Sequence, residues 1–156
     1  MSDTEFMRHA IGLGKRNATA GDGGPFGAVV VMNGAVVGEG WNQVTAHNDP
    51  TSHAEVVAIR DACARLGTFD LSGAVIYTSC EPCPMCLGAI LWARLDRMYY
   101  AADRADAAAV GFDDEWFYDQ VAKDVGEREL VAERLLADEA REVLTTWLEN
   151  PDHIEY

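Results

Sequence analysis

Two short clusters constrain this 156-residue chain more than any other feature: His53-Ala54-Glu55 and, 27 residues on, Pro82-Cys83-Pro84-Met85-Cys86. The second opens an apolar run, Leu87-Gly88-Ala89-Ile90-Leu91, that reads as a helix. Cys83 and Cys86 stand three apart at its start, so both thiols lie on one helix face. The partial positive charge of a helix N-terminus lowers a thiol pKa and favours the thiolates that a metal takes. Zinc accepts Cys sulfur and His nitrogen in a tetrahedral shell, and three protein ligands leave one position for water. Two thiolates neutralise Zn²⁺, and a neutral His53 completes the set without adding charge. Metal binding lowers the pKa of water from about 15.7 to about 7.

Glu55, two residues beyond His53, would point away from it along a regular helix. At a first turn, however, side chains can converge on a point beyond the helix end. A carboxylate there can take a proton from activated water and pass it to a leaving amine. The rival arrangement is a closed zinc site in which Cys80 is a fourth ligand, a stabilising knuckle that excludes water and leaves Glu55 without a task. Cys63, farther along the His53 helix, reads as a small core residue.

The rest of the chain supplies a frame for these clusters. Residues 3–18 carry apolar side chains at helical spacing, with Ser2 or Asp3 as cap. Gly21-Asp22-Gly23-Gly24-Pro25 breaks the chain. Phe26–Met32 and Ala35–Gly38 are apolar runs joined by Asn33-Gly34, a strong signal for a two-residue hairpin turn. His53 to Leu66 predicts a helix ended by Gly67, Val75–Thr78 a strand, and Arg97–Ala101 another. Residues 103–125 are rich in Ala and Asp, with an aromatic group of Phe112, Trp116, Phe117 and Tyr118. Leu130–Leu136 is ambiguous between strand and helix, and Asp138 is the expected cap of a last helix running to Leu148. No internal repeat or linker is visible, so the chain reads as one α/β domain with helices on both faces of a sheet. In such sheets ligands bind where the carboxyl ends of strands meet helix N-termini.

Charge narrows the partners. The chain carries 12 Lys+Arg against 26 Asp+Glu, a net −14. Residues 1–104 hold eight basic and eleven acidic side chains, whereas 105–156 hold four and fifteen. Phosphate binding needs Lys and Arg to displace counterions, so nucleic acid and anionic membrane are not expected partners. No run approaches the roughly 18 apolar residues of a membrane span. The N-terminus lacks the basic start and apolar core of a signal peptide, and three cysteines crowded into seven residues (Cys80, Cys83, Cys86) suit a reducing compartment. The expected location is the cytoplasm.

His-x-Glu followed by Pro-Cys-x-x-Cys is the pattern of the zinc deaminases. The chain resembles the cytidine deaminase-like zinc aminohydrolases, and among them the short bacterial guanine deaminases. Gly24-Pro25-Phe26-Gly27-Ala28, Asn42, Asp49 to Glu55 and Tyr77 to Ile90 carry the wider likeness. Ala109-Val110-Gly111-Phe112-Asp113-Asp114 and the terminal Glu155-Tyr156 carry the likeness to guanine deaminases, and 120–150 is the weakest stretch. The resemblance implies a three-layer α/β/α sandwich around a five-stranded mixed sheet, with Leu130–Leu136 as its last strand. It implies zinc on His53, Cys83 and Cys86, proton transfer by Glu55, and release of ammonia from guanine to leave xanthine. It also implies that Phe26, Asn42, Ala54, Asp114 and Tyr156 bind the purine, with Asp114 assisting a second proton transfer. A homodimer is implied, in which a segment of about 130–156 crosses over and Tyr156 closes the partner's site. Read as residues alone, Phe26 could equally be core, Asn42 a turn former, Asp114 a helix cap, Tyr156 a frayed end. A tRNA adenosine deaminase shares the zinc motifs, but such a protein should present a basic face.

Overall fold

The computed structural model describes all 156 residues, in two units, Met1–Tyr118 and Asp119–Tyr156. In the first, α1 (Asp3–Ala20) starts at a reciprocal cap. The Ser2 side chain accepts from the Glu5 N–H, and the Glu5 carboxylate accepts from the Ser2 N–H. Phe6, Ala10, Leu13 and Asn17 recur on one buried face of this helix. Asn33 and Gly34 both take positive φ (51° and 76°), the conformation of the two-residue hairpin turn expected there. They join β1 (Gly27–Met32) to β2 (Ala35–Trp41).

The sheet is mixed, in the order β2-β1-β3-β4, with β3 at Ala74–Cys80 and β4 at Arg97–Ala102. β1 pairs antiparallel with both neighbours, and β3 with β4 is the parallel pair. Between those two strands runs the crossover that a parallel pair requires, the helix α4 (Pro84–Trp92). Because alternate residues of a strand face opposite ways, β1 serves two cores. Val29 and Val31 pack with Phe6, Ala10, Leu13 and Tyr77 under α1. Ala28 and Val30 face Ala54, Ala58, Ala62 and Ile90, from α4 and from α3 (Ala54–Leu66). Helices therefore cover both faces. α3 lies unusually close to β2, since a Cβ on Gly40 would stand 2.2 Å from the Ala54 carbonyl oxygen, and one on Gly38 2.4 Å from that of Ala58.

The sheet has four strands, not the expected five. Leu130–Leu136 is neither strand nor helix. A strand needs a ladder partner, and Leu130–Leu136 pairs with none of the four strands of the sheet. Before it come a short helix α2 (Val44–His47), α5 (Arg104–Ala109) and α6 (Asp114–Ala122), and after it α7 (Ala137–Glu149). Asp138 does not cap α7. The helix starts one residue earlier, and Leu136 stands at its N-cap in the left-handed region, φ 51°. No helix is long and apolar enough to cross a membrane.

Candidate active site

The ends of β1, β2 and β3 and the first turns of α3 and α4 converge on one cavity. His53 occupies the N-cap position of α3 and Cys83 that of α4, and neither side chain caps its own helix. Both are left to face a shared point. His53 Nδ1 lies 3.6 Å from Cys83 Sγ and 3.5 Å from Cys86 Sγ. Bonds of about 2.3 Å to sulfur and 2.0–2.1 Å to nitrogen, at a tetrahedral angle, would separate sulfur from nitrogen by roughly 3.6 Å. The three ligand atoms, all within 4.8 Å of one another, therefore fit zinc as they stand. Cys80 is outside the trio: its thiol points to the Asp103 carbonyl at 3.6 Å, and burial raises its pKa to about 11. The closed four-ligand arrangement does not form.

The trio shares protons. The Cys83 thiol is pulled down to about 4, chiefly by a hydrogen bond from Cys86 and also by one from His53. Cys86 is driven up because it supplies that bond, and because it is buried beside Glu55. His53 is raised, first by its hydrogen bond to Cys83. A cation entering this set releases protons as it binds.

Glu55 is buried at the first turn of α3, and the Cys86 thiol reaches its Oε2 at 3.4 Å. Burial pushes this carboxyl up, a shift that the Cys86 hydrogen bond opposes. It is the group a proton shuttle needs: a carboxylate beside the metal trio, held off from water.

Asn42, Ala54, Phe26 and Asp114 line the same cavity. Asn42, at the end of β2, is buried, and its Oδ1 accepts from the backbone N–H of Gly24 (3.1 Å) and of Val44 (3.2 Å). It is thus a turn former and a cavity residue at once. Its carbonyl edge is committed, which leaves the amide N–H groups as what it can offer a ligand. Gly23 makes this possible, because a Cβ there would stand 2.1 Å from Asn42 Oδ1. From the α1 side the Asn17 Nδ2 donates to the Asn42 carbonyl at 2.7 Å and to that of Gly24 at 2.6 Å.

Asp114 is the first residue of α6. Its carboxyl is raised by burial and then by the charge of Cys83, while His53 opposes the shift. Tyr156 lies in the second unit and is 70% exposed. Two lining residues escape motif reading. Phe112 packs edge-on against Phe26 at 4.8 Å between ring centroids, and Glu81 precedes the metal loop. Phe112 sits in a turn after Gly111, where periodicity carries no information about which side is buried.

The family model of the cytidine and deoxycytidylate deaminase zinc-binding region matches residues 1–102. Guanine deaminase of Bacillus subtilis is 46% identical over 156 residues, covering 100% of both chains. Its X-ray structure superposes with a TM-score of 0.96, over 100% of this chain and 99% of that one. The guanine deaminase from Nitrosomonas europaea gives a TM-score of 0.69 at 35% identity, over 72% of this chain and 65% of its own. The tRNA-specific adenosine deaminase of Haemophilus influenzae is 33% identical over 148 residues, covering 94% of this chain and 83% of that one.

Proposed function

The chain belongs to the cytidine and deoxycytidylate deaminase family, and from that premise we propose that it hydrolyses guanine to xanthine and ammonia. The observation that carries this reading is the 46% identity to a guanine deaminase over the full length of both chains. His53, Cys83 and Cys86 would hold one zinc ion per subunit. Zinc held there supplies Lewis acidity, lowering the pKa of water from about 15.7 to about 7.

The protein's own groups bind and move protons. Asn42 presents N–H donors to an acceptor on the purine, and Asp114 presents carboxylate oxygens to the ring N1–H and the 2-amino group. Adenine has no N1–H and no 2-amino group, so it would leave the half-buried Asp114 unpaired, a mismatch that discriminates against it. Phe26 packs against the ring, and the chain at Ala54 lies beneath it. Glu55 takes a proton from the attacking water as the new C–O bond forms at C2 and the C2–N3 double bond opens, its electron pair passing to N3. It then returns a proton to the exocyclic nitrogen as the C2–N bond breaks, and Asp114 assists the second transfer. Ammonia leaves, and the product is xanthine.

The working unit in this reading is a homodimer in the cytoplasm, with the segment of about 130–156 exchanged so that Tyr156 closes the partner's site. Support comes from the second unit taken alone, where α7 buries none of its residues. Four unpaired thiols suit a reducing compartment.

Ammonia release from guanine, guanosine, cytosine, adenine, ammeline and tRNA, with metal content measured on the same sample, tests the reading. Guanine should be converted and tRNA left intact. Full zinc content without deamination of any of these substrates would sink it.

A further inference from the structure

We propose that Tyr118, stacked beneath Arg104, is a positioning residue that fixes Asp114 relative to the Cys83 loop. The inference rests on the reading of Asp114 as a purine-binding group. Tyr118 is four residues beyond Asp114 on α6, so the two side chains lie one turn apart on the same face. Its hydroxyl donates to the Pro82 carbonyl at 2.6 Å. Pro82 is fully buried and directly precedes Cys83.

A second contact holds the ring by its face. The Arg104 guanidinium lies over it, 4.0 Å from the centroid. Arg104 is itself locked to the same loop. Glu81 Oε1 meets its Nη2 at 3.0 Å, and Glu81 Oε2 accepts its backbone N–H at 3.0 Å. The Glu81 N–H in turn donates to the Ala102 carbonyl at 2.8 Å. Glu81 and Pro82 therefore grip α5 and α6 from one dipeptide, immediately before a metal ligand.

Apolar packing does little of this work. Gln120 is the only buried residue of α6, and Trp116 and Phe117 are 46% and 43% exposed. The metal trio is carried by α3 and α4 and takes no ligand from α6. Loosening Tyr118 should therefore displace Asp114 and leave the trio in place. Misplacing a substrate-orienting group by about 1 Å can cost on the order of a hundredfold in rate, and a partial loosening roughly tenfold.

The test is a double-mutant cycle on the full-length zinc enzyme. Tyr118→Phe keeps the ring and removes the donor. It should lower kcat/KM for guanine about tenfold, mainly by raising KM, with zinc content unchanged. In an Asp114→Ala background the same change should cost less than twofold, because no carboxylate remains to be misplaced. An equal loss in both backgrounds, no loss in the first, or loss of zinc overturns the proposal. If Asp114→Ala alone converts guanine at the unmodified rate, the fault lies in the reading of Asp114 and not in the clamp. Should Tyr118→Phe not fold, Arg104→Lys, which keeps the charge but loses the planar guanidinium stacked on the Tyr118 ring, runs the same cycle.

Discussion

Glu55 and Asp114 are two carboxylates in one cavity, and their surroundings give them different work. Glu55 is buried against a thiol of the metal trio, whereas Asp114 lines the same cavity half-buried. Glu55→Gln keeps the shape and removes the proton acceptor. Turnover of guanine should fall about 10²- to 10⁴-fold with the zinc stoichiometry intact, checked by ammonia release beside metal analysis. A loss of zinc together with activity would make Glu55 a support for the ligands instead. The wall that Asn42 lines has its own test at Gly23. A Cβ there would overlap Asn42 Oδ1, so Gly23→Ala should turn the amide away and raise KM for guanine severalfold with a smaller change in kcat. At this scale the motifs were legible because a metal dictates residue type as well as spacing. Phe112 was not, since nothing in a turn sequence says which ring will meet Phe26.

At the scale of elements, the helices with caps and the hairpin with Asn33-Gly34 could be read because their signals are local. Leu130–Leu136 could not, since a strand exists only with a neighbour, and no pattern within seven residues supplies one. The spacing between elements was equally hidden. Gly38 and Gly40 let β2 and α3 approach so closely that the α3 carbonyls occupy the place of a side chain. Because the carbonyl of Ala54 is the one facing Gly40, this contact sets where His53 and Glu55 begin. Gly40→Ala should force the two apart, destabilising the fold by about 1–3 kcal/mol and weakening zinc retention under a chelator. Gly12→Ala serves as the counterpart: a Cβ there meets nothing within 4 Å in the interior of α1. It should stabilise by about 0.5–1 kcal/mol and leave the zinc alone. Thermal unfolding and chelator-chase rates on the two variants decide whether the β2–α3 distance governs the site.

Charge and apolar exposure decide what the whole molecule can do. Fifteen acidic against four basic side chains after residue 104 weigh against a tRNA backbone as partner. The zinc motifs are shared with tRNA-specific relatives, so the metal site does not separate the two readings, and the asymmetry sides with the full-length likeness to guanine deaminase. The second unit raises a further question, because it is acidic and yet openly apolar. Leu130, Val131, Leu135 and Leu136 are 70–82% exposed, and on α7 Val143, Leu144 and Leu148 are 61–68% exposed. A water-soluble chain seldom leaves so much apolar surface uncovered, and a second copy is the partner the dimer reading supplies. Mixing two inactive variants tests the exchange. One chain carries Glu55→Gln and an intact Tyr156; the other carries Tyr156→Ala and an intact Glu55. If Tyr156 acts across the dimer, each mixed dimer has one site with both groups, and after reassortment of an equimolar mixture guanine turnover should return toward about a quarter that of the unmodified enzyme. If Tyr156 acts within its own chain, every site lacks one group and mixing restores nothing. Sedimentation of the same mixture at micromolar concentration must show a two-chain species. A monomer at that concentration would remove both the exchange and the lid.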